Sequence, residues 1–182
     1  MGVKVDVMDD FYKLLHPCLA VFVVSASADG RSNVMTCAWN MPVSEDPPMV
    51  AVALGEESYT GKLIRESGEF TVNIPSERLL KALWICGTRS GRKVDKFKLA
   101  GLTPRPARRV KPPIIDECVG HLECGLSKSV EAGECTLFIG EVLEAYASEE
   151  FFRNGVWDVR AVSLPLHLGG RVFAIPSRVV RP

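Results

Sequence analysis

Short apolar segments bounded by turn residues constrain the fold of this chain more than any other feature of its sequence. Three of them are residues 19–26, 49–54 and 70–74, and the turn residues beside them are Asp29-Gly30, Pro47-Pro48 and Pro75. Apolar runs of this length between glycine and proline signals are typical of buried strands. Residues 121–129 and 136–147 extend the pattern, because the Gly-containing segment 131–134 between them predicts a hairpin.

Helical signals are fewer and shorter. Amphipathic spacing predicts a helix over residues 5–15, and a second helix is predicted to follow Ser76 as its N-cap and to end at Gly87. Two more are predicted at residues 60–66, starting at Ser58 or Thr60 and ending at Gly68, and at residues 94–100, before Gly101. Because strands and helices do not alternate regularly, the pattern favours a mainly β fold, a β-barrel with attached helices, over a doubly wound sheet.

The charge balance argues against polyanionic partners. The 182 residues include 22 Lys plus Arg and 22 Asp plus Glu, so no global field favours nucleic acid or an acidic membrane. No apolar stretch approaches the roughly 20 residues that span a bilayer, and the N-terminus shows no secretion signal. We therefore expect a cytoplasmic protein with a single domain over residues 1–182, bound neither to membranes nor to nucleic acid.

Cysteine and glycine motifs do not support a metal site or a phosphate loop. The cysteines lack any CxxC spacing, which predicts reduced thiols, although a hyperthermophilic source would leave an internal disulfide open. Cys118, His121 and Cys124 recur every third residue, but in a strand His121 would face away from both cysteines, so no metal is predicted. Residues 87–94 fail the phosphate-loop pattern and are interpreted as a solvated basic turn.

Ordered blocks of sequence along most of the chain carry a family resemblance. They are GRSNVMTCAWNMPVS at 30–44, PPMV at 47–50, SYTGKLI at 58–64, ESGEFTVNIP at 66–75, SGRKVDKF at 90–97, AGLT at 100–103 and FIGEV at 138–142. Together they resemble the flavin reductase-like, FMN-binding split-barrel family, most closely its flavoredoxin branch. The likeness extends over roughly residues 11–173 and rests on several blocks in order rather than on one short motif.

This resemblance implies a six-stranded, Greek-key-like split barrel that forms a homodimer and holds FMN in a groove near the dimer interface. Positions carried over as FMN contacts are Asn33, Thr36, Trp39, Thr60, Lys96 and Phe173. Further candidates in or near the matching blocks are Met35, Cys37, Ser58, Tyr59, Cys135 and His167. Cys135 is a departure, since many flavoredoxin-like sequences have a histidine just before the FIGEV block. No catalytic residue follows from the resemblance.

The chemistry of these residues suits a phosphate attached to a flavin ring. A helix that begins near Ser58 or Thr60 would direct backbone N–H groups and the positive end of its dipole at a phosphate, and Lys96 would add charge. Backbone amides of residues 35–37 would bind the ribityl chain or the ring edge, beside an apolar wall formed by Trp39. Each residue also has a structural explanation as a cap, core or surface side chain, and only their occurrence together favours flavin.

Three functions remain open from the sequence. An enzyme would accept hydride from NADH or NADPH on the flavin and pass electrons to a small molecule or a protein. An electron carrier would hold FMN and exchange electrons with redox proteins without a nicotinamide. A flavin-binding module without redox chemistry is the third. A dinucleotide fingerprint is absent, but this family does not require one, so its absence does not decide among them.

Overall fold

One antiparallel sheet of seven strands forms the body of the protein in the computed structural model, which describes residues 2–180. In spatial order its strands are β3 (Ser32–Cys37), β2 (Val21–Ala26), β6 (Glu69–Ile74), β9 (Gly120–Ala132), β10 (Cys135–Ala147), β5 (Pro48–Gly55) and β4 (Asn40–Glu45). The remaining strands are short: β1 (Cys18–Leu19), β7 (Pro104–Arg105), β8 (Ile114–Ile115), β11 (Phe152–Arg153), β12 (Val156–Trp157), β13 (Leu166–Gly169) and β14 (Val172–Ala174). The predicted mainly β architecture is confirmed.

The main sheet has one strand more than the six predicted. The edge strand β4 contains Pro42 and pairs with β5. Proline lacks a backbone N–H and is tolerated on an edge strand, and β4 is the last strand of this sheet. The pairing shifts register between Pro42 and Ser44, which is the irregularity that a proline in a strand imposes.

Strand β2 separates two apolar clusters, because its side chains alternate between the two faces of the sheet. Val21 and Val23 belong to the cluster inside the barrel, together with Phe70 and Phe138. Phe22 belongs to the other cluster, which lies between the sheet and the helices. All six residues of β2 are buried, which explains why this segment is a nearly continuous apolar run.

Three short helices lie against the sheet: α1 (Tyr59–Ser67), α2 (Leu80–Thr88) and α3 (Lys96–Ala100). The Ser58 side chain caps α1 by accepting from the Gly61 N–H at 3.1 Å, and Gly68 ends that helix in the left-handed conformation. The predicted limits of this helix are therefore confirmed, with Ser58 rather than Thr60 as the cap. Helix α3 is capped by Asp95 and ends at Gly101.

The predicted helix after Ser76 is wrong at both ends. Ser76 makes no capping hydrogen bond; it precedes a single 3-10 turn at Glu77–Leu79, and the α-helix begins only at Leu80. Gly87 lies inside the helix rather than after it. The last turn is held by the Thr88 hydroxyl, which donates to the Trp84 carbonyl at 2.7 Å.

The predicted amphipathic helix at residues 5–15 is also different from the observed segment. A 3-10 helix at Met8–Leu15 replaces it, with non-helical backbone angles at Asp10. None of its residues is buried, and Phe11 is 59% exposed. The apolar side chains of this segment are therefore not buried against other residues of the described chain.

A proline-rich crossing at residues 103–113 connects α3 to β8, as predicted from its composition. The buried carboxylate of Glu123 holds it against the sheet, accepting from the Arg108 N–H at 2.9 Å, the Arg109 N–H at 2.6 Å and the Tyr146 hydroxyl at 2.9 Å. This crossing matters for the site because Pro104, at its start, lines the cleft described below.

Within residues 2–180, no helix is long and apolar enough to cross a membrane, and no group of three or more His, Cys, Asp or Glu residues is placed to hold a metal ion. Cys118 packs in the cluster beside the helices, and Cys124 packs in the cluster inside the barrel. His121 lies within hydrogen-bond distance of Asn73 Oδ1, at 2.9 Å.

Candidate functional site

A cleft of about 470 Å³ opens beside the first residues of edge strand β3. Its wall is formed by β3, by the start of α1 and by the loop that leads into α3. The residues that line it include Asn33, Tyr59 and Lys96, three of the predicted site residues, which are far apart in the sequence. The fold thus brings three of the matching blocks onto one surface.

Cations outnumber carboxylates in this cleft, which is referred to below as the basic cleft. Its charged lining residues are Arg31, Arg92, Lys93, Lys96 and Asp95. The one carboxylate among them, Asp95, is already used, because it accepts from the Lys98 N–H and lies 3.5 Å from the Lys98 ammonium. The basic cleft therefore favours an anionic ligand.

Asn33 is the buried polar residue at the base of the basic cleft. Its Nδ2 donates to Thr60 Oγ1 at 2.7 Å, and both side chains are 5% exposed or less. Its Oδ1 is buried and has no hydrogen-bond partner within the part of the chain that the structure describes. A buried amide oxygen without a donor is costly, so this atom fits a ligand that donates a hydrogen bond.

Gly91 allows the loop before α3 to approach Asn33 closely. A Cβ at this position would overlap Asn33 Oδ1 and lie 2.8 Å from Asn33 Cγ. Its backbone angles are not in the left-handed region, so space and not conformation requires the glycine. The tight approach closes one wall of the basic cleft around Asn33.

Tyr59 is held between two guanidinium groups at the mouth of the basic cleft. Arg31 donates to the Tyr59 hydroxyl at 2.9 Å, and the Arg92 guanidinium lies 5.1 Å from the centre of the tyrosine ring. Arg92 also donates to the Glu57 carbonyl at 3.1 Å, beside the start of α1. These contacts orient the arginines, and each guanidinium retains further N–H donors for an anion.

Lys96 lines the basic cleft from within and is only 5% exposed. Its ammonium donates to the Cys86 carbonyl at 2.9 Å, near the end of α2. Burial lowers the pKa of Lys96, which means that the protonated form is partly desolvated. An ammonium has three donors, so contact with Cys86 leaves others available, and an anion in the basic cleft would stabilise the charge.

A smaller space of about 220 Å³, the ring pocket, lies beside the other end of β3. It is lined largely by apolar and aromatic side chains from β3, α2 and the β13–β14 hairpin. The predicted residues Thr36, His167 and Phe173 all lie here, with Trp84 and Gly87 of α2. Thr36 is fixed by its hydroxyl, which donates to the Leu83 carbonyl at 2.6 Å.

Strand β3 links the two spaces. Asn33 lies at the basic cleft and Thr36 at the ring pocket, and three residues of extended chain span about 10 Å. The same strand sends alternate side chains to opposite faces, so Thr36 faces α2 while Met35 and Cys37 pack with the apolar cluster inside the barrel. Asn33 has the same parity as Met35 and Cys37, so its side chain and that of Thr36 leave β3 on opposite faces. Because β3 is an edge strand, a ligand that reaches both would pass along this edge, with an anionic group at one end and a planar apolar group at the other.

Trp39 lies in a third space, an apolar groove of about 390 Å³ that shares Ala38 with the ring pocket. The groove runs between the Met8–Leu15 segment and strands β4, β5 and β10. The Trp39 ring is 5.7 Å from the ring of Tyr12 and is 42% exposed. It therefore presents an apolar surface next to the ring pocket without lining the pocket itself.

Comparison with known proteins assigns this architecture to a family. Residues 16–166 match the family described as the flavin reductase like domain. The chain belongs to the flavin reductase-like, FMN-binding split-barrel family. A split-barrel domain from Shewanella frigidimarina, 14% identical, supports the fold alone, with a TM-score of 0.82 and coverage of 97% of this chain and 92% of its own.

Relatives within the flavin reductase-like family include both enzymes and flavoredoxins. A protein of Archaeoglobus fulgidus is 42% identical over 145 residues, which are 80% of each chain. The flavin reductase of Pseudomonas putida is 29% identical over 152 residues, which are 81% of this chain and 86% of that protein. Flavoredoxin of Desulfovibrio vulgaris (Miyazaki F) is 30% identical, with a TM-score of 0.84 and coverage of 92% of this chain and 91% of its own.

Some residues that the flavin reductase-like resemblance predicts as FMN contacts line neither the basic cleft nor the ring pocket. The Cys37 thiol is buried and donates to the Trp39 carbonyl at 3.3 Å, and burial raises its pKa to about 12. Ser58 is used as the cap of α1. Cys135 begins β10 opposite Gly55, at the strand end, and lines neither the basic cleft nor the ring pocket.

Within residues 87–94, interpreted above as a solvated basic turn, residues 89–94 do form a largely exposed turn, but Gly87 and Thr88 belong to α2, and the turn has a further role at the site. Gly91, Arg92 and Lys93 line the basic cleft, and Gly87 lines the ring pocket. Arg31 is a further cleft residue that sequence reasoning missed, although it lies in a matching block. The signal that would have found these residues is the clustering of arginine and lysine with glycine in two of those blocks.

Proposed function

We propose that the chain binds FMN and acts as a flavin-dependent oxidoreductase, either like an NAD(P)H-dependent flavin reductase or like a flavoredoxin in electron transfer. The observation that carries this proposal is that two spaces lie at the two ends of β3: a basic cleft with an unsatisfied buried amide oxygen, and a pocket lined by aromatic side chains. FMN carries a phosphate and a planar ring joined by a ribityl chain. The phosphate matches the basic cleft, and the ring matches the ring pocket.

In this proposal the phosphate lies in the basic cleft. Arg31 and Arg92 are already oriented by Tyr59 and would donate to phosphate oxygens from its mouth. Lys96 would contribute a buried positive charge from the opposite wall. Asn33 Oδ1 would accept from a hydroxyl of the ribityl chain, and this oxygen would then have the hydrogen-bond donor that it lacks.

The ring would lie in the ring pocket, where the protein orients it and limits its exposure to water. Phe173 and Trp84 supply aromatic surface, and Thr36 and His167 supply polar atoms for the ring edge. When FMN is bound it supplies hydride and single-electron chemistry, while the protein contributes binding, orientation and electrostatics.

The electron donor distinguishes the two forms of the proposal. A flavin reductase-like enzyme would take hydride from NADH or NADPH and pass electrons to a small molecule or a protein. A carrier would keep FMN bound and exchange electrons with redox proteins. The family includes flavin reductases, and flavoredoxins are among the similar structures, so each form has support.

A homodimer is the second part of the proposal. The apolar groove is bordered by large exposed side chains, among them Phe11, Leu15, Trp39 and Met41, which the described part of one chain does not cover. Contiguous apolar surface of this kind marks a protein interface. A second copy on this groove would also shield the adjoining ring pocket through Ala38.

Two experiments test these statements. The flavin released on denaturation of the purified protein is expected to be FMN, and release of FAD or recovery of a colourless protein that FMN does not reconstitute would contradict the proposal. Anaerobic mixing of the FMN-loaded protein with NADH or NADPH then separates the two forms: rapid bleaching of the flavin favours the reductase, and bleaching only by a reduced protein partner favours the carrier.

The homodimer is tested by light scattering at micromolar concentration. Wild type is expected to have twice the mass of one chain, and Met41→Glu is expected to shift it toward the monomer, because the substitution places a charge within the apolar groove. Lys128→Glu, which changes an exposed residue of β9 outside that groove, serves as the control. A flavin-loaded monomeric wild type would contradict the proposal.

A further inference from the structure

Arg171 is a cation beside the ring pocket that the proposed FMN site does not use. It lies in the turn between β13 and β14, directly after Gly170, which lines the ring pocket. Its guanidinium carbon is 4.5 Å from the centre of the Trp84 ring, and Trp84 lines the same pocket. Arg171 therefore lies against the aromatic wall of the ring pocket, at the end of β3 away from the basic cleft.

Local contacts fix the turn that carries Arg171. Gly169 and Gly170 have φ angles of 141° and 54°, which favour glycine, so the chain can turn sharply here. A Cβ at Gly169 would lie 3.4 Å from Lys13 Cε, so the turn packs closely against the lysine side chain. The Gly170 carbonyl oxygen lies 3.2 Å from His167 Nε2. The backbone of Arg171 is thereby held beside the ring pocket.

No carboxylate neutralises Arg171 within residues 2–180. The ion pairs in that part of the chain use other lysines and arginines, and Arg171 is exposed. The lining of the ring pocket contains no lysine, arginine or carboxylate, and Asp10 is already used in an ion pair with Lys13 at 2.6 Å. Arg89 directly follows the lining residue Thr88 and is a second exposed cation outside those ion pairs. The rim of the ring pocket is therefore positively charged.

A second molecule would supply the anion that Arg171 lacks. A guanidinium can stack one face on an aromatic ring and still present N–H donors at its edges to an anion. The oxidised flavin ring is uncharged, and the FMN phosphate is assigned to the basic cleft, so FMN itself places no anion here. The electron donor or acceptor must approach the flavin ring in order to react with it, and it therefore comes within reach of this rim.

We propose that Arg171 binds an anionic group of the second substrate, so that the electron donor or acceptor of this protein is an organic anion with a phosphate, carboxylate or sulfonate group. This inference rests on the proposed function. The guanidinium donates charged hydrogen bonds to the anion and thereby positions the substrate at the ring, and Arg171 forms and breaks no covalent bond. Two sources of the anion fit, the diphosphate of a nicotinamide donor and the acid group of an aromatic acceptor, and they are tested separately.

The donor is tested with NADH and with 1-benzyl-1,4-dihydronicotinamide, which transfers the same hydride but carries no phosphate. Flavin absorbance follows the anaerobic reduction of the FMN-loaded protein. Arg171→Gln is expected to lower the ratio of kcat/KM for NADH to that for the neutral donor about three- to ten-fold, through KM, which is the range of an exposed charged contact. Arg171→Lys keeps the charge and should restore most of the ratio. Arg153→Gln, which changes an exposed arginine of β11 outside both spaces, is the control and should keep the wild-type ratio.

The acceptor is tested with protein whose FMN has first been reduced by light. The reduced protein is mixed with 1,4-naphthoquinone or with 1,4-naphthoquinone-2-sulfonate, and each quinone takes up two electrons and two protons from the reduced flavin. Arg171→Gln is expected to lower the ratio of the rate constant for the sulfonated quinone to that for the neutral one about three- to ten-fold. The same Arg171→Lys and Arg153→Gln variants serve as rescue and control.

A selective loss for the charged partner with either the donors or the acceptors, restored by Arg171→Lys, supports the proposal and shows which substrate carries the anion. Equal effects on charged and neutral partners, or no effect on either pair, would overturn it, because Arg171 would then only cover Trp84 or alter the flavin itself. Arg171→Gln should bind FMN as wild type does, since it does not line the basic cleft. A wild-type protein that does not bind FMN would instead refute the proposed function, and this inference with it.

Discussion

Gly91→Ala adds only one methyl group, yet it should weaken the binding of FMN in the basic cleft. The added methyl group would overlap Asn33 Oδ1 and lie 3.3 Å from the Tyr59 ring. Asn33 cannot turn away freely, because its Nδ2 is held by Thr60 Oγ1 at 2.7 Å in a buried position. Either that hydrogen bond breaks or the loop that carries Arg92 retreats from the cleft.

Displacement of Asn33 and retreat of the loop each remove a contact to the ligand. The loss of FMN affinity can be estimated from the free energy of the contact that is removed. If Asn33 is displaced, its Oδ1 no longer accepts from the ligand, and the ligand hydroxyl left buried without a partner costs about 1–3 kcal/mol of binding free energy. A retreating loop forfeits a charged hydrogen bond from Arg92, worth about 1.5–3 kcal/mol. At about 1.4 kcal/mol per decade, FMN should bind about ten- to a hundred-fold more weakly.

Fluorescence titration with FMN, together with thermal denaturation, measures this effect. Gly55→Ala is the matched control, since a Cβ there meets nothing within 4 Å and its backbone angles also suit alanine. The control should bind FMN as wild type does. If Gly91→Ala binds FMN within about two-fold of wild type while remaining folded, the close approach does not form the phosphate site and the reasoning fails.

The remaining predictions concern stability and the flavin environment. Glu123→Ala leaves three donors unpaired and should lower the free energy of unfolding by about 3 kcal/mol or more, measured by chemical denaturation; a loss under about 1 kcal/mol would contradict the buried clamp. Burial alone would raise the pKa of Glu123, but hydrogen bonds from Arg108, Arg109 and Tyr146 lower it. Its stabilisation should therefore be complete above the unfolded pKa of about 4.3 and be lost as the pH falls through the lower folded value, a dependence that Glu123→Gln should remove. Because Cys135 lines neither the basic cleft nor the ring pocket, Cys135→His should keep FMN and leave the pH dependence of its reduction unchanged; loss of FMN or a changed profile would show that Cys135 is near the flavin.

Local signals in the sequence were sufficient where the structure depends on neighbouring residues. Helix α1 begins after Ser58 and ends at Gly68 because a hydroxyl cap and a left-handed glycine act within one turn of the chain. The hairpin of β9 and β10 also follows its local pattern, with a tight turn at Gly133. The family blocks then predicted which of these elements line the candidate site, and Asn33, Tyr59 and Lys96 do line one cleft.

Features that depend on contacts between residues distant in sequence could not be predicted from such local signals. The sequence predicts the exposed basic turn within residues 87–94, but its place as a wall of the cleft depends on the packing of Gly91 on Asn33, which is distant in sequence. Residues 35–37 form one block, yet the period of the strand sends Thr36 to the ring pocket and the Cys37 thiol into the core. Amphipathic spacing at residues 5–15 indicated a buried face, but none of the residues of the observed Met8–Leu15 segment is buried within residues 2–180.

The contrast between FMN and riboflavin affinity tests the central claim most directly, because the two ligands share the ring and differ in the phosphate. Wild type should bind FMN at least about a hundred-fold more tightly than riboflavin, since several charged hydrogen bonds of about 1.5–3 kcal/mol each reach only the phosphate. Arg92→Gln and Lys96→Ala should each weaken FMN about ten- to a hundred-fold and leave riboflavin nearly unchanged. Equal affinity of wild type for the two flavins, or equal weakening of both by these substitutions, would contradict the assignment of the basic cleft to the FMN phosphate.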